Sequence, residues 1–351
     1  MPREPTPKPR QEKYSIALID GDGIGPEISK ATLVVLDSLQ EKLGLRFSIK
    51  ESPAGDNCKR KTGAALPESS LKSIRESDAC LKAPVGETAA DVIVKLRQTL
   101  DLYANVRPAK TLPNVPSLKP GIDLVIVREN TEDLYKGQEF DFDGGVVALR
   151  TITRAACERI AEYAFELAEQ RGRTRRVVAV HKSNVLRKSD GLFAQVCGEV
   201  SKAYPKVAYS EMLVDAAAMN LIRDPLSFDV IVTTNLYGDI LSDEAAQLVG
   251  GLGVTPSANI GKEFALFEPV HGAAPDIAGK GVANPVAMIL TVSMMLDWLS
   301  KARGDQACSA GASAVRSAVN RVLETSTRTP DLGGKATTMQ VGEAVAKAIS
   351  K

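Results

Sequence analysis

Five β-rich apolar runs punctuate this chain with helical stretches between them, and that alternation constrains the fold more than any other feature. The runs are "YSIALI", "DACLKAPV", "IDLVIV", "RRVVAV" and "FDVIVTTN". Among the stretches between them are Pro26–Leu43, closed by Gly44, Thr153–Gly172 and Ser189–Tyr204. Strands buried on both faces read as near-continuous apolar runs, whereas half-exposed strands alternate. The pattern predicts an α/β fold with substantial parallel pairing and helices covering the sheet. "AMILTVSMMLDWL", Ala287–Leu299, is apolar nearly all round, which predicts a buried core or subunit-interface helix. A length of 351 residues exceeds one ordinary core and suggests about two domains.

Bulk charge removes several classes of function. A net charge of +1 gives no electrostatic footprint for nucleic acid or an anionic membrane. No stretch approaches a membrane span. Cys58, Cys80, Cys157, Cys197 and Cys308 are widely scattered, without zinc or redox spacing, so reduced thiols in a cytoplasmic protein are expected. The first 13 residues, "MPREPTPKPRQEK", are proline-rich and charged and read as a disordered tail.

"LIDGDGIGPEI", Leu18–Ile28, sets Gly21, Gly23 and Gly25 after the first strand. As a phosphate loop it fits poorly. The third glycine comes one residue early, Pro26 removes a donor, and Glu27 puts negative charge where phosphate would sit. A strand-to-helix turn is the reading it favours.

Charged residues gather elsewhere. Asp239 and Asp243, four apart, share one face at the start of a helix, and Asp215 lies in "LVDAAAMNL". Three carboxylates without a histidine suit Mg²⁺ or Mn²⁺ better than zinc, although a D-x-x-x-D pair alone is usually a solvated face. Arg97, Arg107 and Arg128 each adjoin an apolar run, and guanidinium forks bind carboxylates in pairs, which makes a small acidic substrate plausible. Tyr135 and Lys182 are candidate proton carriers, with a core tyrosine and a snorkelling lysine as the plain alternatives. His181 and His271 have no metal-site spacing, and neither is assigned as a ligand. Phe267–Pro285, "FEPVHGAAPDIAGKGVANP", is a glycine- and proline-shaped segment in which Asp276 could accept both hydroxyls of an adenosine ribose. A negative charge there favours NAD over NADP, although a plain loop is the simpler reading of this segment taken alone.

Taken together, "GDGIGPE", "LYANVRPAK", "RENTEDLY", "HKSNVL", "NLYGDILSDEAAQLVGGLG", "HGAAPDIAGKGVANP" and "TPDLGG" resemble the metal-dependent β-decarboxylating dehydrogenases. Isopropylmalate, isocitrate and homoisocitrate dehydrogenases are members of that family. The resemblance runs from Tyr14 to the C-terminus. It implies an isopropylmalate dehydrogenase-like two-domain α/β fold, with a large mixed sheet flanked by helices, unlike an ordinary Rossmann fold. The large cofactor-binding domain would comprise 14–102 and 250–351, and the small central domain, 103–249, would carry the dimer interface. The resemblance further implies that Arg97, Arg107 and Arg128 grip malate carboxylates and that Asp215, Asp239 and Asp243 surround Mg²⁺ or Mn²⁺, with Asp215 also meeting substrate. Tyr135 and Lys182 would be catalytic. His271, Gly272, Ala273, Ala274, Asp276, Ile277 and Asn284 would bind NAD. A homodimer with shared active sites is implied, Lys182 and Asp215 of one subunit facing Tyr135, Asp239 and Asp243 of the other, with a tetramer left open.

Substrate choice within the family rests on "GETAADVIVKLR". Isocitrate-specific members resemble a serine and asparagine pattern here, where this chain has Asp91 and Ile93, and homoisocitrate members an arginine, absent between Gly86 and Leu96. Ile93 and Val94 match the apolar pair that touches an isopropyl group, while Lys95 is the cation that could meet a distal carboxylate. The expected reaction is oxidative decarboxylation of 3-isopropylmalate to 4-methyl-2-oxopentanoate with NAD, a step of leucine biosynthesis. Isocitrate or homoisocitrate oxidation is the alternative. A non-catalytic regulatory subunit would lack metal aspartates or the Tyr/Lys pair, which this chain retains.

Overall fold

The computed structural model describes residues 13–349. The tail expected over the first 13 residues lies, apart from Lys13, outside the described residues. The chain opens with β1 (Tyr14–Ile19), α1 (Gly25–Leu43), β2 (Phe47–Glu51), α2 (Asp56–Thr62), α3 (Glu68–Arg75), β3 (Ala79–Lys82) and α4 (Asp91–Thr99). Next come β4 (Ala104–Lys110), β5 (Asp123–Glu129), the hairpin β6 (Glu139–Phe142) and β7 (Gly145–Ala148), α5 (Arg154–Arg171) and β8 (Arg176–His181). Then follow α6 (Ser189–Ser201), β9 (Ala208–Leu213), α7 (Val214–Arg223), β10 (Val230–Thr233) and α8 (Asn235–Leu248). β11 (Pro256–Ile260), β12 (Ala265–Pro269), α9 (Val286–Arg303), α10 (Gln306–Leu323) and α11 (Thr338–Ala348) complete it.

Helix ends follow local chemistry. Gly44 and Gly172 close α1 and α5 in the left-handed conformation, and the Thr153 hydroxyl caps α5 by accepting from Ala156 N. α6 ends at Ser201, three residues short of the expected Tyr204. The apolar run Ala287–Leu299 lies within α9, which is buried along most of its length in the main core.

Ten strands form one sheet in the order β2-β1-β3-β12-β11-β4-β5-β10-β8-β9. β2, β1, β3 and β12 are mutually parallel, as are β5, β10, β8 and β9. β11 and β4 join the blocks through three antiparallel pairings, so the two parallel blocks run in opposite directions. This mixed sheet flanked by helices matches the expected architecture. The register aligns Asn259 with Asn105, Asn105 with Arg128, and Arg128 with Thr233, and all four are buried. A row of buried polar side chains across a sheet centre requires internal partners, which locates the chemistry.

The β6–β7 hairpin stands outside the main sheet and exposes Phe140, Phe142, Val146 and Val147. Met219, Ile222, Leu226 and Ile240 are further exposed apolar residues on and near α7 and α8. No helix among the described residues is long and apolar enough to cross a membrane. All five cysteines are buried and none forms a disulfide.

Candidate active site

Arg128, on the penultimate residue of β5, is 1% exposed. Its Nε donates to Asn235 Oδ1 at 2.9 Å and its Nη1 pairs with Asp239, while Nη2 is buried without a protein partner. Such an orphaned donor is costly unless a ligand meets it, and a carboxylate is the natural complement. Gly238 makes this arrangement possible, because a Cβ there would come within 2.5 Å of Arg128 Cγ. Arg107, in β4, donates to Asn105 Oδ1 at 2.6 Å, Ser242 Oγ at 2.7 Å and Asp243 Oδ1 at 3.2 Å. Its Nη2 lies 3.4 Å from Asp239. Arg97, on α4, donates from Nε to Asn259 at 3.0 Å and from Nη2 to Glu268 at 3.4 Å.

The Tyr135 hydroxyl donates to Asp239 Oδ2 at 2.5 Å, and its ring lies beneath the Arg128 guanidinium. Burial, then the bond to Asp239, raises the phenol above its ordinary value, so it stays protonated. Burial opposes ionisation of Asp239, but Arg128 and Arg107 outweigh it and hold that carboxyl below the usual range. Asp243 moves the other way, because its desolvation and the Asp239 charge exceed the pull of Arg107. A cation placed beside both aspartates would favour their ionised forms.

The structure thus brings Arg97, Arg107, Arg128, Tyr135, Asp239 and Asp243 together. It leaves Lys182 and Asp215 apart. These two pair with each other at 2.5 Å, Lys182 just after β8 and Asp215 at the start of α7. The ammonium holds Asp215 below its ordinary value. β8 and β9 lie two and three strands from β5, about 10 and 14 Å at normal spacing. Among the described residues no three His, Cys, Asp or Glu side chains converge on a metal position. Asp239 and Asp243, four residues apart, place two hard oxygen donors on one face of α8.

Ile93 and Val94 are half-buried, four and three residues before Arg97, on the same face of α4. Lys95, two residues before Arg97, is exposed on the other side. His181 pairs with Glu211 at 3.3 Å.

In the segment 271–284, Ala274, Gly279 and Gly281 have positive φ, which curls the backbone. His271 is neutral, since burial lowers its pKa, and its Nε2 is buried without a partner. The Asn284 side chain is engaged at both ends, accepting from Val286 N and donating to Asp331. Asp276 is exposed and Ile277 half-buried beside it. The glycine turn supports this segment: Ile24 N donates to Ala273 O at 2.8 Å, and a Cβ on Gly23 would lie 1.9 Å from that same oxygen. Glu27, whose charge argued against phosphate, accepts the backbone N–H groups of Gly281 and Ala283 at 3.2 and 3.3 Å.

Sequence reasoning missed Glu268. It accepts from Lys82 at 2.8 Å and Asn259 at 2.9 Å and pairs with Arg97. The register pairs Leu266 with Cys80 and Phe267 with Leu81, which carries Glu268 to Lys82. A lone acid and a lone lysine inside two apolar runs were the available signal.

Residues 15–345 match the isocitrate/isopropylmalate dehydrogenase family. The chain belongs to that family. A 3-isopropylmalate dehydrogenase of Archaeoglobus fulgidus is 53% identical over 331 residues, covering 94% of this chain and 98% of that protein. An isocitrate/homoisocitrate dehydrogenase of Thermus thermophilus is 48% identical over 343 residues, covering 96% and 98%. The crystal structure of isocitrate dehydrogenase from Methylococcus capsulatus superposes with a TM-score of 0.89 at 41% identity, covering 96% of this chain and all of that one. This member of the isocitrate/isopropylmalate dehydrogenase family is accordingly an enzyme, a decarboxylating dehydrogenase.

Proposed function

We propose that this chain oxidises and decarboxylates 3-isopropylmalate with NAD and Mg²⁺ or Mn²⁺, as a cytoplasmic homodimer whose subunits share active sites. The observation that carries the substrate assignment is the face of α4. Ile93 and Val94 flank Arg97 there, while Lys95 is exposed on the opposite side. Burying an isopropyl group against such residues is worth roughly 1.5–3 kcal/mol, and an unpaired carboxylate in the same place would cost more. Relatives about half identical carry the name 3-isopropylmalate dehydrogenase, which supports the same reading.

In this reading Arg97, Arg107 and Arg128 bind the substrate carboxylates, Arg128 through Nη2, and Arg107 also keeps Asp239 and Asp243 in place. Asp239 and Asp243, with Asp215 of the partner subunit, would hold the divalent cation. A cation held there would supply Lewis acidity to the substrate's hydroxyl, and NAD would supply the hydride acceptor. Lys182 of the partner subunit, neutral once a cation stands beside it, would take the hydroxyl proton at Nζ. After CO₂ leaves the β-keto acid, the Tyr135 hydroxyl donates its proton to C3 of the enolate. The exposed apolar residues of the β6–β7 hairpin and of α7 and α8 support a second copy as their cover, since monomers seldom leave so many unburied. The proposed division is 14–102 with 250–351 as the cofactor domain and 103–249 as the dimerising one.

Steady-state kinetics with three acids and two cofactors tests the proposal. kcat/KM for 3-isopropylmalate is expected to exceed that for isocitrate and homoisocitrate by about tenfold or more, ~1.4 kcal/mol. Equal or better turnover of isocitrate would remove the role given to Ile93 and Val94. NAD is expected to be preferred over NADP by about 100-fold, ~2.7 kcal/mol, because Asp276 repels a 2′-phosphate. Asp276→Lys with Ile277→Tyr should narrow or reverse that ratio. Equal use of NADP by the wild type would show that Asp276 does not meet the ribose.

A further inference from the structure

Between the two halves of the candidate site lies a buried ionic cluster with no role in the chemistry above. Arg150, four residues before α5, donates from Nε to Asp133 Oδ1 at 2.6 Å. Its Nη2 donates to Asp133 Oδ2 at 3.2 Å and to Thr234 Oγ1 at 2.8 Å, and its Nη1 pairs with Asp190. The guanidinium lies 4.9 Å from the centroid of the Tyr237 ring. Asp133 and Asp190 are both wholly buried, so a single cation offsets two desolvated carboxylates.

Each carboxylate also grips backbone next to a site residue. Asp190 Oδ2 accepts the backbone N–H of Lys182 at 2.6 Å. Asp133 caps the single 3-10 turn that carries Tyr135, accepting from Leu134 N at 2.9 Å. It also accepts Leu236 N at 3.1 Å, in the first turn of α8, the helix that carries Asn235, Asp239 and Asp243. Asp133 has φ 70° and ψ −149°, a conformation nearly confined to glycine. A backbone held there by side-chain bonds depends on those bonds, and the residue two positions on is Tyr135.

We propose that Arg150 is the positioning residue that sets Lys182 and Tyr135 for the reaction, although it bonds to neither. The inference rests on the shared-site reading of the dimer. There Lys182 serves one active site and Tyr135 the other, so one guanidinium underlies a group in each. Lysine cannot replace it in this role. One ammonium keeps a cation near the carboxylates but lacks the planar fork that reaches Asp133, Asp190 and Thr234 together.

Arg150→Lys is therefore the informative variant, since it retains the charge that the buried carboxylates need for folding. Circular dichroism and the thermal midpoint establish that it is folded. Its homodimer is expected to lose about 100-fold in kcat toward 3-isopropylmalate, about tenfold for each displaced group. KM should stay within about twofold, because the contacts of Arg97, Arg107 and Arg128 are intact. Two-tag co-expression then supplies mixed dimers. Wild type with Lys182→Ala should keep half the wild-type activity, one site being whole. Wild type with Arg150→Lys should fall about tenfold, because each site receives one displaced group. If Arg150 set only one of the two groups, one site of the mixed dimer would be untouched and half the activity would remain. An unchanged kcat in the Arg150→Lys homodimer overturns the proposal. So does half-retention in its mixed dimer, provided Lys182→Ala/Tyr135→Phe mixed dimers are active. If those are inactive, the shared-site reading has failed instead, and the homodimer's loss of kcat at constant KM decides the role of Arg150. Failure of Arg150→Lys to fold would make the residue structural and likewise overturn the proposal.

Discussion

Subunits of Lys182→Ala and Tyr135→Phe, each nearly inactive alone, are expected to recover about a quarter of wild-type activity when mixed. Loss of either proton carrier should cost about 10²–10⁴-fold. In the shared-site dimer the mixed species has one site with both lesions and one with neither, because a two-fold contact occurs twice. Random mixing makes about half of all dimers mixed, and half their sites are intact. The geometry that motivates the test is the separation of Lys182 and Asp215 from the Asp239 cluster, two and three strands away in the same chain. If mixing after joint unfolding and refolding restores nothing, one chain must supply both groups to one site.

Glu268→Gln is expected to destabilise the protein by about 3–5 kcal/mol, the usual effect of leaving buried charge uncompensated. Lys82 and Arg97 are both buried, and Glu268 is the acid they share. Burial opposes ionisation, yet Lys82 and Arg97 together bring the Glu268 carboxyl down to about 2. Its folded value is below its unfolded one, so the stabilisation is complete above the ordinary carboxylate range. It is lost as pH falls from that range through about 2. The urea midpoint of the wild type should therefore drop on acidification by more than that of Glu268→Gln. Equal midpoints at neutral pH would mean that the two cations need no such partner. Arg97 also loses an anchor in this variant, so weaker substrate binding should accompany the loss of stability.

The two predictions draw on different amounts of sequence information. β1, the ends of α1 and α5, and the buried α9 were legible because they follow from period, capping residues and glycine alone. The residues of the Asp239 cluster were legible as types, since arginines beside apolar runs and a D-x-x-x-D pair are local patterns. Their partners were not. Glu268 and Lys82 lie 186 positions apart, and only the strand order brings them side by side. Arg150 looks like any loop arginine until Asp133 and Asp190 close on it from two directions. Glu27 was read only for its charge beside a glycine turn, and its role in the structure, holding Gly281 and Ala283, depends on a segment 254 positions away. The reversal of the sheet at β11 and β4 has no local signature, because strand direction is decided by connections rather than composition.

That reversal has a consequence for how the protein emerges from a ribosome. β3 pairs on one side with β1 and on the other with β12, which is synthesised more than 180 residues later. Tyr14 likewise waits for Asp305, 291 positions on, to receive its hydrogen bond. Until then Leu81 and its neighbours present an unpaired apolar strand edge, the kind that recruits other chains. The parallel block β5, β10, β8 and β9 at the other end of the sheet faces no such delay, since all four strands lie between Asp123 and Thr233. Vectorial synthesis should thus complete the β5–β9 end of the sheet first and the end that holds the opening strands last. The nascent chain is most prone to aggregation while its opening strands wait, and pausing or truncation before β12 is where chaperone dependence should be greatest.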